Sequence, residues 1–305
     1  MAGILSTGAF PQDLRPGIKA IFGDSYKDWD SKYDKIFEMR TSDRNYEEDM
    51  LVPGFGLAVE KPEGNAVAYD STQQGISPRY RHISYGLGFV LTQEMMEDGS
   101  ALKNAMVWTK RLKYSALRSK EVVAANILNR AFTSTYTMTG GDGKELCATD
   151  HPTQDGDHRN ELTTAADLSE ASLEQALIDI MDMEDNRGLK IALQAKQLII
   201  PTAMYMDAQR FLKSDGRVAT ANNDLNAINS LNMIPKGILV NPYLTDSDAW
   251  FLTTDCPEGL IYYNRKDMVI DSDQDMDTNN MRTKLIYRCS FGWSDFKGIF
   301  GSPGA

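Results

Sequence analysis

From Ile83 the odd positions Ile83, Tyr85, Leu87, Phe89 and Leu91 are apolar, while His82, Ser84, Gly86 and Gly88 among them are small or polar. A two-residue period of this kind predicts a strand with one buried face. Upstream, Leu51, Pro53, Phe55, Leu57 and Val59 keep the same odd phase against Val52, Gly54, Gly56, Ala58 and Glu60. The pattern predicts that the two runs pair as one long hairpin. Its connection, "EKPEGNAVAYDSTQQGISP", is rich in turn residues and reads as an exposed tip. A two-stranded hairpin is marginal alone in water, so its apolar face needs a support, either this chain's core or a neighbouring subunit.

Farther on the period changes. After "DGS" at 98–100, with Ser100 as the expected cap, Leu102, Ala105, Met106, Leu112, Ala116, Val123, Ile127, Leu128 and Ala131 recur at helical spacing, predicting one long helix to about Phe132. A second helix is expected near 169–186, with Ser172 and Gln175 at capping-box spacing and "NRG" at its end. "AKQLIIP" predicts a strand, with Pro201 opening a helix that "SDG" stops. "KGILVNP", "DAWFLTT" and "GLIYYN" read as short strands of a compact α+β unit. The last strand has the clearest pattern: Met281, Thr283, Leu285, Tyr287, Cys289, Phe291 and Trp293 alternate with Arg282, Lys284, Arg288, Ser290 and Gly292. Residues 1–48 carry Phe10, Phe22, Tyr26, Trp29, Tyr33, Phe37 and Tyr46 at no clean period and read as an arm with short helical pieces.

A chain of 305 residues has room for a substantial core. Its formal charge of −11 argues against a general nucleic-acid binder, which needs clustered Lys and Arg. The long helix is the local exception: Lys103, Lys110, Arg111, Lys113, Arg118, Lys120 and Arg130 face the one acid Glu121. Such a run is either a solvated face or a surface for an acidic neighbour or a polyanion. Cys147, Cys256 and Cys289 have no metal-ligand spacing and are expected to be free thiols of a reducing cytoplasm. No apolar stretch reaches the length of a membrane span, and the start lacks the charged and apolar regions of a signal peptide.

Catalytic chemistry has little to draw on. His151 and His158, near Asp150, Asp155 and Asp157, are the best raw material for a metal or acid–base site, but their spacing fits no zinc signature and a turn-rich loop with satisfied side chains is the expected reading. "DSDQDMDTNN" at 271–280 starts like a calcium loop, then places Met276 where glycine is needed and Arg282 where the bidentate glutamate belongs. It reads as a solvated acidic loop. No phosphate-cradling or nucleophile-elbow motif is present, so the expectation is no catalytic residue, no cofactor and no metal.

The order of these parts, carried by "RPGIKAIFGDSYKDWDSKYDKIF", "EGNAVAYDSTQQG", "SYGLGFVLTQEMMEDG", "ATDHPTQDGDHRNELTTAADLSEASLEQAL", "LIIPTAMYMDAQRFL", "LVNPYLTDSDAWFL" and "SDQDMDTNNMRTKLIYRCSFGWSDFKGIFGS", resembles the major capsid proteins of tailed bacteriophages with the Hong Kong 97-like fold, in particular the phage Mu-like major head subunit. The resemblance implies an α+β fold with an N-terminal arm over 1–48, an extended hairpin loop over 49–92 and a peripheral domain with its spine helix over 93–190. It further implies an axial domain over 191–262 and a return strand of the peripheral domain over 263–305. It implies a structural role: self-assembly into hexamers and pentamers that form an icosahedral head around double-stranded DNA, in the virion and, during assembly, in the host cytoplasm. A separate scaffolding protein, a portal and decoration proteins are the implied partners, with no membrane. On this resemblance Tyr85, Leu87 and Phe89 are expected at an intersubunit contact, and Lys61 near the tip carries no assignable crosslink. An encapsulin-like shell holding protein cargo and a metal-dependent hydrolase using His151 are the alternatives.

Overall fold

The computed structural model describes residues 30–71, 74–97, 101–216 and 225–305, with the backbone alone at 96–97 and 101–104. Ser100 and the aromatic residues Phe10, Phe22, Tyr26 and Trp29 lie outside the described residues. In chain order, helix α1 (Tyr33–Ile36) leads into strands β1 (Glu38–Thr41), β2 (Tyr46–Glu48), β3 (Arg79–Arg81) and β4 (Ile83–Leu91). Helices α2 (Gln93–Glu97) and α3 (Ala101–Asn129) follow, then β5 (His151–Pro152), β6 (Asp157–His158) and helix α4 (Glu170–Met181). Next come β7 (Ala195–Ile200), α5 (Tyr205–Lys213), α6 (Ala227–Ser230), β8 (Ile238–Val240) and β9 (Trp250–Thr254). The chain closes with β10 (Leu260–Gln274), β11 (Met281–Trp293) and β12 (Ile299–Ser302). No helix among the described residues is long and apolar enough to cross a membrane.

Two four-stranded sheets organise these elements, in the orders β1-β10-β11-β4 and β12-β9-β7-β8. In the first, β10 and β11 form a long antiparallel hairpin, from Leu260↔Trp293 to Gln274↔Met281. The buried positions Met281, Thr283, Leu285, Tyr287 and Cys289 of β11 alternate with exposed Arg282, Lys284 and Ile286, as the period requires. Helix α3 covers this sheet with Leu112, Ala116, Ala124, Ile127 and Leu128, at about 1.5–3 kcal/mol for each large apolar side chain buried. The second sheet is buried on both faces. Ile199, Phe251 and Ile299 enter the core shared with α3, while Leu198, Ile200, Trp250, Leu252 and Phe300 enter a second core with Leu173, Leu177 and Ile180 of α4. Two-sided burial is why "QLII" and "AWFL" are continuous apolar runs rather than alternating ones.

Several expectations are corrected. The runs Leu51–Val59 and Ile83–Leu91 do not pair: β4 lies antiparallel to β11, with Tyr85↔Tyr287 and Leu87↔Leu285 in register. Between 49 and 78 the described residues contain no strand. Pro53, Gly54, Gly56 and Gly64 make that stretch a poor strand former, whereas β11 offers β4 a ladder and a stacked tyrosine. "GLIYYN" opens the fifteen-residue β10, which belongs to the first sheet and not to the compact unit. Asp271–Gln274 of the expected acidic loop are the end of that strand. Helix α4 is capped by Ser169 in a reciprocal box with Ser172, not by Ser172 with Gln175, and it ends at Met181, well before "NRG". The last part of the expected arm is woven into the fold, because β1 runs parallel to β10.

The basic residues of α3 and Arg130 just past its end, where their side chains are described, do not share one environment. Lys110, Arg111, Arg118 and Arg130 are exposed, but Lys113 and Lys120 are buried. The Lys120 ammonium donates to Tyr262 Oη at 3.0 Å and lies 5.3–5.5 Å from the ring centres of Tyr33, Tyr262 and Tyr287. Burial pulls its pKa down, and the three electron-rich ring faces offset part of its lost hydration. Next to it, Glu121 accepts the backbone N–H groups of Lys32 (2.7 Å) and Tyr33 (3.2 Å), satisfying donors at the start of α1 that a helix leaves open. One turn of α3 thus ties the arm to the sheet.

The first sheet's exit meets the second at a backbone contact. A Cβ on Gly298 would overlap Gly259 Cα, and one on Gly259 would stand 2.6 Å from Gly298 Cα. Neither neighbour is a side chain that could swing aside. Gly298→Ala is expected to lower stability by about 3 kcal/mol, read as a lowered thermal midpoint; an unchanged midpoint would show that the two segments separate freely.

Candidate interaction surface

The segment between β2 and β3 stands away from the core on a hydrogen-bonded base. Tyr46, Glu47 and Glu48 pair with Arg81, Tyr80 and Arg79, and the ladder continues through Asp49 N–H to Pro78 O (3.1 Å), Leu51 N–H to Ile76 O (2.9 Å) and Gly75 N–H to Leu51 O (3.1 Å). Beyond this base the loop has a further tether. Arg187 ion-pairs with Asp70 and donates to Ser71 O at 2.9 Å, while Asp70 also accepts the Gly56 N–H at 2.8 Å. The Arg187 guanidinium, with the Gly56 N–H adding to it, holds the Asp70 carboxyl well below the usual carboxylate range.

Among the exposed residues of this frame are several large apolar ones, beside the charged Glu60, Lys61 and Glu63. Phe55 is 63% exposed, Leu57 78%, Val59 74% and Tyr69 95%, with Met50, Val52 and Val67 also exposed. Monomeric proteins rarely leave apolar side chains so concentrated in water, and such a patch marks a surface that another molecule covers. Of the alternating run Leu51–Val59 that predicted a buried strand face, this chain covers only Leu51 and Pro53 at the base and leaves Phe55, Leu57 and Val59 exposed.

The residues expected at an intersubunit contact sit elsewhere, on β4. Tyr85 is partly buried and stacks on Tyr287 of the same chain, with ring centres 5.2 Å apart and planes 19° apart. Phe89 meets Trp108 of α3 edge-to-face at 5.7 Å. Leu87 is 48% exposed, and Ile83 and Val90 beside it are also exposed on what is the edge strand of its sheet. Of the three, Leu87 has the most surface left for a neighbour. The two runs share one phase, and Pro53 with its neighbouring glycines is the sequence signal that marks Leu51–Val59 as the weaker strand former.

The histidines divide by environment. The His151 ring is fully buried, stacked on Phe296 with centroids 3.9 Å apart, with Nδ1 2.5 Å from Asp142 Oδ2 and Nε2 3.1 Å from Asn160 Oδ1. Both ring nitrogens are engaged inside the fold, as the satisfied-loop reading expects. Asn160, which carries no signal in the sequence, donates Nδ2 to Leu146 O (2.7 Å), Phe296 O (2.9 Å) and Ile299 O (3.1 Å) and accepts from Ala148 N–H (2.9 Å). His158 pairs across from His151 in the β5–β6 ladder but is only half-buried, beside Asp155 and Glu184. The three cysteines are free thiols: Cys147 and Cys289 are buried, and Cys256 is half-buried with its pKa raised to about 12 by burial and by nearby Asp295.

His82 is buried between Ser290 Oγ (3.0 Å from Nδ1) and Ser42 Oγ (3.0 Å from Nε2), hydroxyls that serve the neutral ring. Burial lowers its pKa, the nearby cations Arg288 and Arg265 lower it further, and Glu47 opposes them. A lowered pKa means that the unfolded chain takes up the proton first. The contribution of neutral His82 is therefore fully present above the ordinary histidine value and lost as pH falls through the lowered folded value. The fall in thermal midpoint from about pH 7.5 to about pH 5.5 is expected to be smaller in His82→Gln than in the wild type; equal falls would contradict this.

The fold is that of the Hong Kong 97-like capsid subunits. The capsid of a native GTA particle aligns with a TM-score of 0.57 at 10% identity, covering 91% of this chain and 92% of that one. The virus-like particle from Pyrococcus furiosus gives 0.54 at 10% identity, covering 94% and 98%. The procapsid of bacteriophage JBD30 gives 0.52 at 13% identity, covering 97% of this chain and 75% of that one. A family model described as phage capsid protein matches residues 77–301, and the chain belongs to that family. No curated protein sequence matches it. The chain is thus a structural capsid protein.

Proposed function

We propose that this chain is the major head subunit of a tailed bacteriophage, assembling as hexamers and pentamers into an icosahedral shell around double-stranded DNA. The observation that carries the reading is the loop over 50–71, whose apolar side chains stand in solvent on a frame fixed at its base and at Asp70. In a closed shell those side chains lie over an adjacent copy, and Leu87 with the free edge of β4 contributes a second, smaller contact. A separate scaffolding protein guides assembly in the host cytoplasm, and a portal occupies one vertex. On the division into arm, loop, peripheral domain and axial domain, the sheet under α3 belongs to the peripheral domain and the sheet of β7, β8, β9 and β12 lies toward capsomer centres. A net charge of −11 suits a container whose wall must release its polyanion.

Sedimentation velocity with negative-stain microscopy of the purified protein, with and without the scaffold, tests this. Capsomers or closed shells are the expected species. A strictly monomeric protein with metal-dependent hydrolysis lost in His151→Ala would instead establish the enzymatic alternative, and shells filled with protein and free of DNA in infected cells would favour the cargo compartment.

A further inference from the structure

Asp155, His158 and Glu184 come from two separate turns, yet one potential ligand atom from each lies within 4.8 Å of the other two. Asp155 sits in the β5–β6 turn, which is closed by Thr153 N–H to Gly156 O at 2.9 Å, and His158 is on β6. Glu184 is in the turn after α4, where Asp185 N–H donates to Leu189 O at 2.8 Å. The two turns touch at Gly188. Its φ is +76°, a conformation that favours glycine, and the Asp155 carboxylate lies against it where a Cβ would stand.

A second observation points the same way. His158 and Glu184 line a cleft of about 350 Å³ that Asp179 also lines. The Asp179 side chain is nine-tenths buried; its Oδ1 accepts from Arg159 (3.1 Å) and Gln175 (2.9 Å), while Oδ2 is buried with no hydrogen-bond partner among the described residues. A buried carboxylate oxygen left without a donor is costly, and a water held on a cation in the cleft would supply one.

We propose that Asp155, His158 and Glu184 bind a borderline divalent cation of the zinc type, which fastens the β5–β6 turn to the turn after α4. One imidazole and two carboxylates, with a fourth position left for water, is a donor set suited to zinc; calcium and magnesium prefer oxygen alone. Ligands about 2.1 Å from a shared ion stand roughly 3.4 Å apart in a tetrahedron, so atoms already within 4.8 Å of one another need only small side-chain movements to close on an ion. The half-exposed positions of the ligands allow those movements. Lys190, 3.1 Å from Glu184 Oε1, holds part of the negative charge in the absence of metal and gives way to the ion.

Isothermal titration of chelator-treated, full-length protein with zinc chloride tests the site, with thermal melts recorded with and without zinc. One ion per chain and a raised midpoint are expected. In His158→Gln the metal-free melt should be unchanged, while affinity falls at least tenfold and the zinc-induced rise disappears; Asp155→Asn, at an exposed position, gives the same readout should His158→Gln fail to fold. Calcium chloride should give no comparable rise. Absence of binding, binding unaffected by either substitution, as a Cys256 thiol site would give, or equal responses to calcium and zinc would each overturn the assignment.

Discussion

Replacing Phe55, Leu57 and Val59 together by aspartate is expected to leave the thermal melt of the unassembled protein nearly unchanged and to abolish shell formation. The three side chains are 63%, 78% and 74% exposed, so within this chain they have little burial to lose, and exposed substitutions of this kind stay within about 0.5 kcal/mol each. At an interface the same positions bring three carboxylates into a space that excludes water. The loss of apolar burial alone is about 1.5–3 kcal/mol per side chain, before the cost of desolvating each charge. Repeated over every subunit of a closed shell, that is far beyond a weak subunit association. Circular dichroism melting beside a sedimentation profile under assembly conditions reads both halves. A large fall in midpoint would mean that the loop is part of this chain's own core, contrary to the geometry described.

Asn160→Leu is expected to lose more than about 4 kcal/mol of stability, more than Gly298→Ala or His82→Gln. Leucine keeps the branched outline, in a larger side chain, but strands the carbonyls of Leu146, Phe296 and Ile299 and the N–H of Ala148, all bonded by the native amide, and takes away the acceptor facing His151 Nε2. Each buried group left without a partner costs about 1–3 kcal/mol, and the surrounding backbone has nowhere to turn for water. The effect should reach the end of the chain, because Gly301 N–H also donates to Asn160 O at 3.0 Å, holding β12 in place. Denaturant unfolding measures it. A loss below about 1 kcal/mol would show that the segment 296–302 is held by its apolar contacts alone.

Elements with a strict period were legible without coordinates. The alternation in Met281–Trp293 and in Ile83–Leu91 gives strands at those places, and the stripe from Ala105 to Leu128 gives the long helix. Periodicity shows which face of an element is apolar but not what covers it. That is why two runs of equal phase, Leu51–Val59 and Ile83–Leu91, suggest a local hairpin, when β4's true partner is β11, far along the sequence. Of Tyr85, Leu87 and Phe89, expected at an intersubunit contact, the rings of Tyr85 and Phe89 are engaged by Tyr287 and Trp108 of the same chain, while Leu87, like Phe55, Leu57 and Val59, stands exposed.

Polar residues in the core were the least legible. Lys120 among three tyrosine rings, Glu121 on the amides of α1 and Asn160 among four backbone groups look in the sequence like ordinary surface residues, because what satisfies them comes from segments far along the chain. A lysine count on a helix cannot reveal that two of its members are buried. His151 and His158 were visible as a pair worth attention, but their separate fates depend on Phe296 and Glu184, which arrive from the chain's end and from the turn after α4.

Cryo-electron microscopy of the assembled particle shows where the 50–71 loop lies when many copies are together. The expected result is a closed shell in which the loop of each subunit lies across its neighbour and Phe55, Leu57 and Val59 lose most of their present exposure. A closed shell in which those three side chains remain in solvent would contradict it.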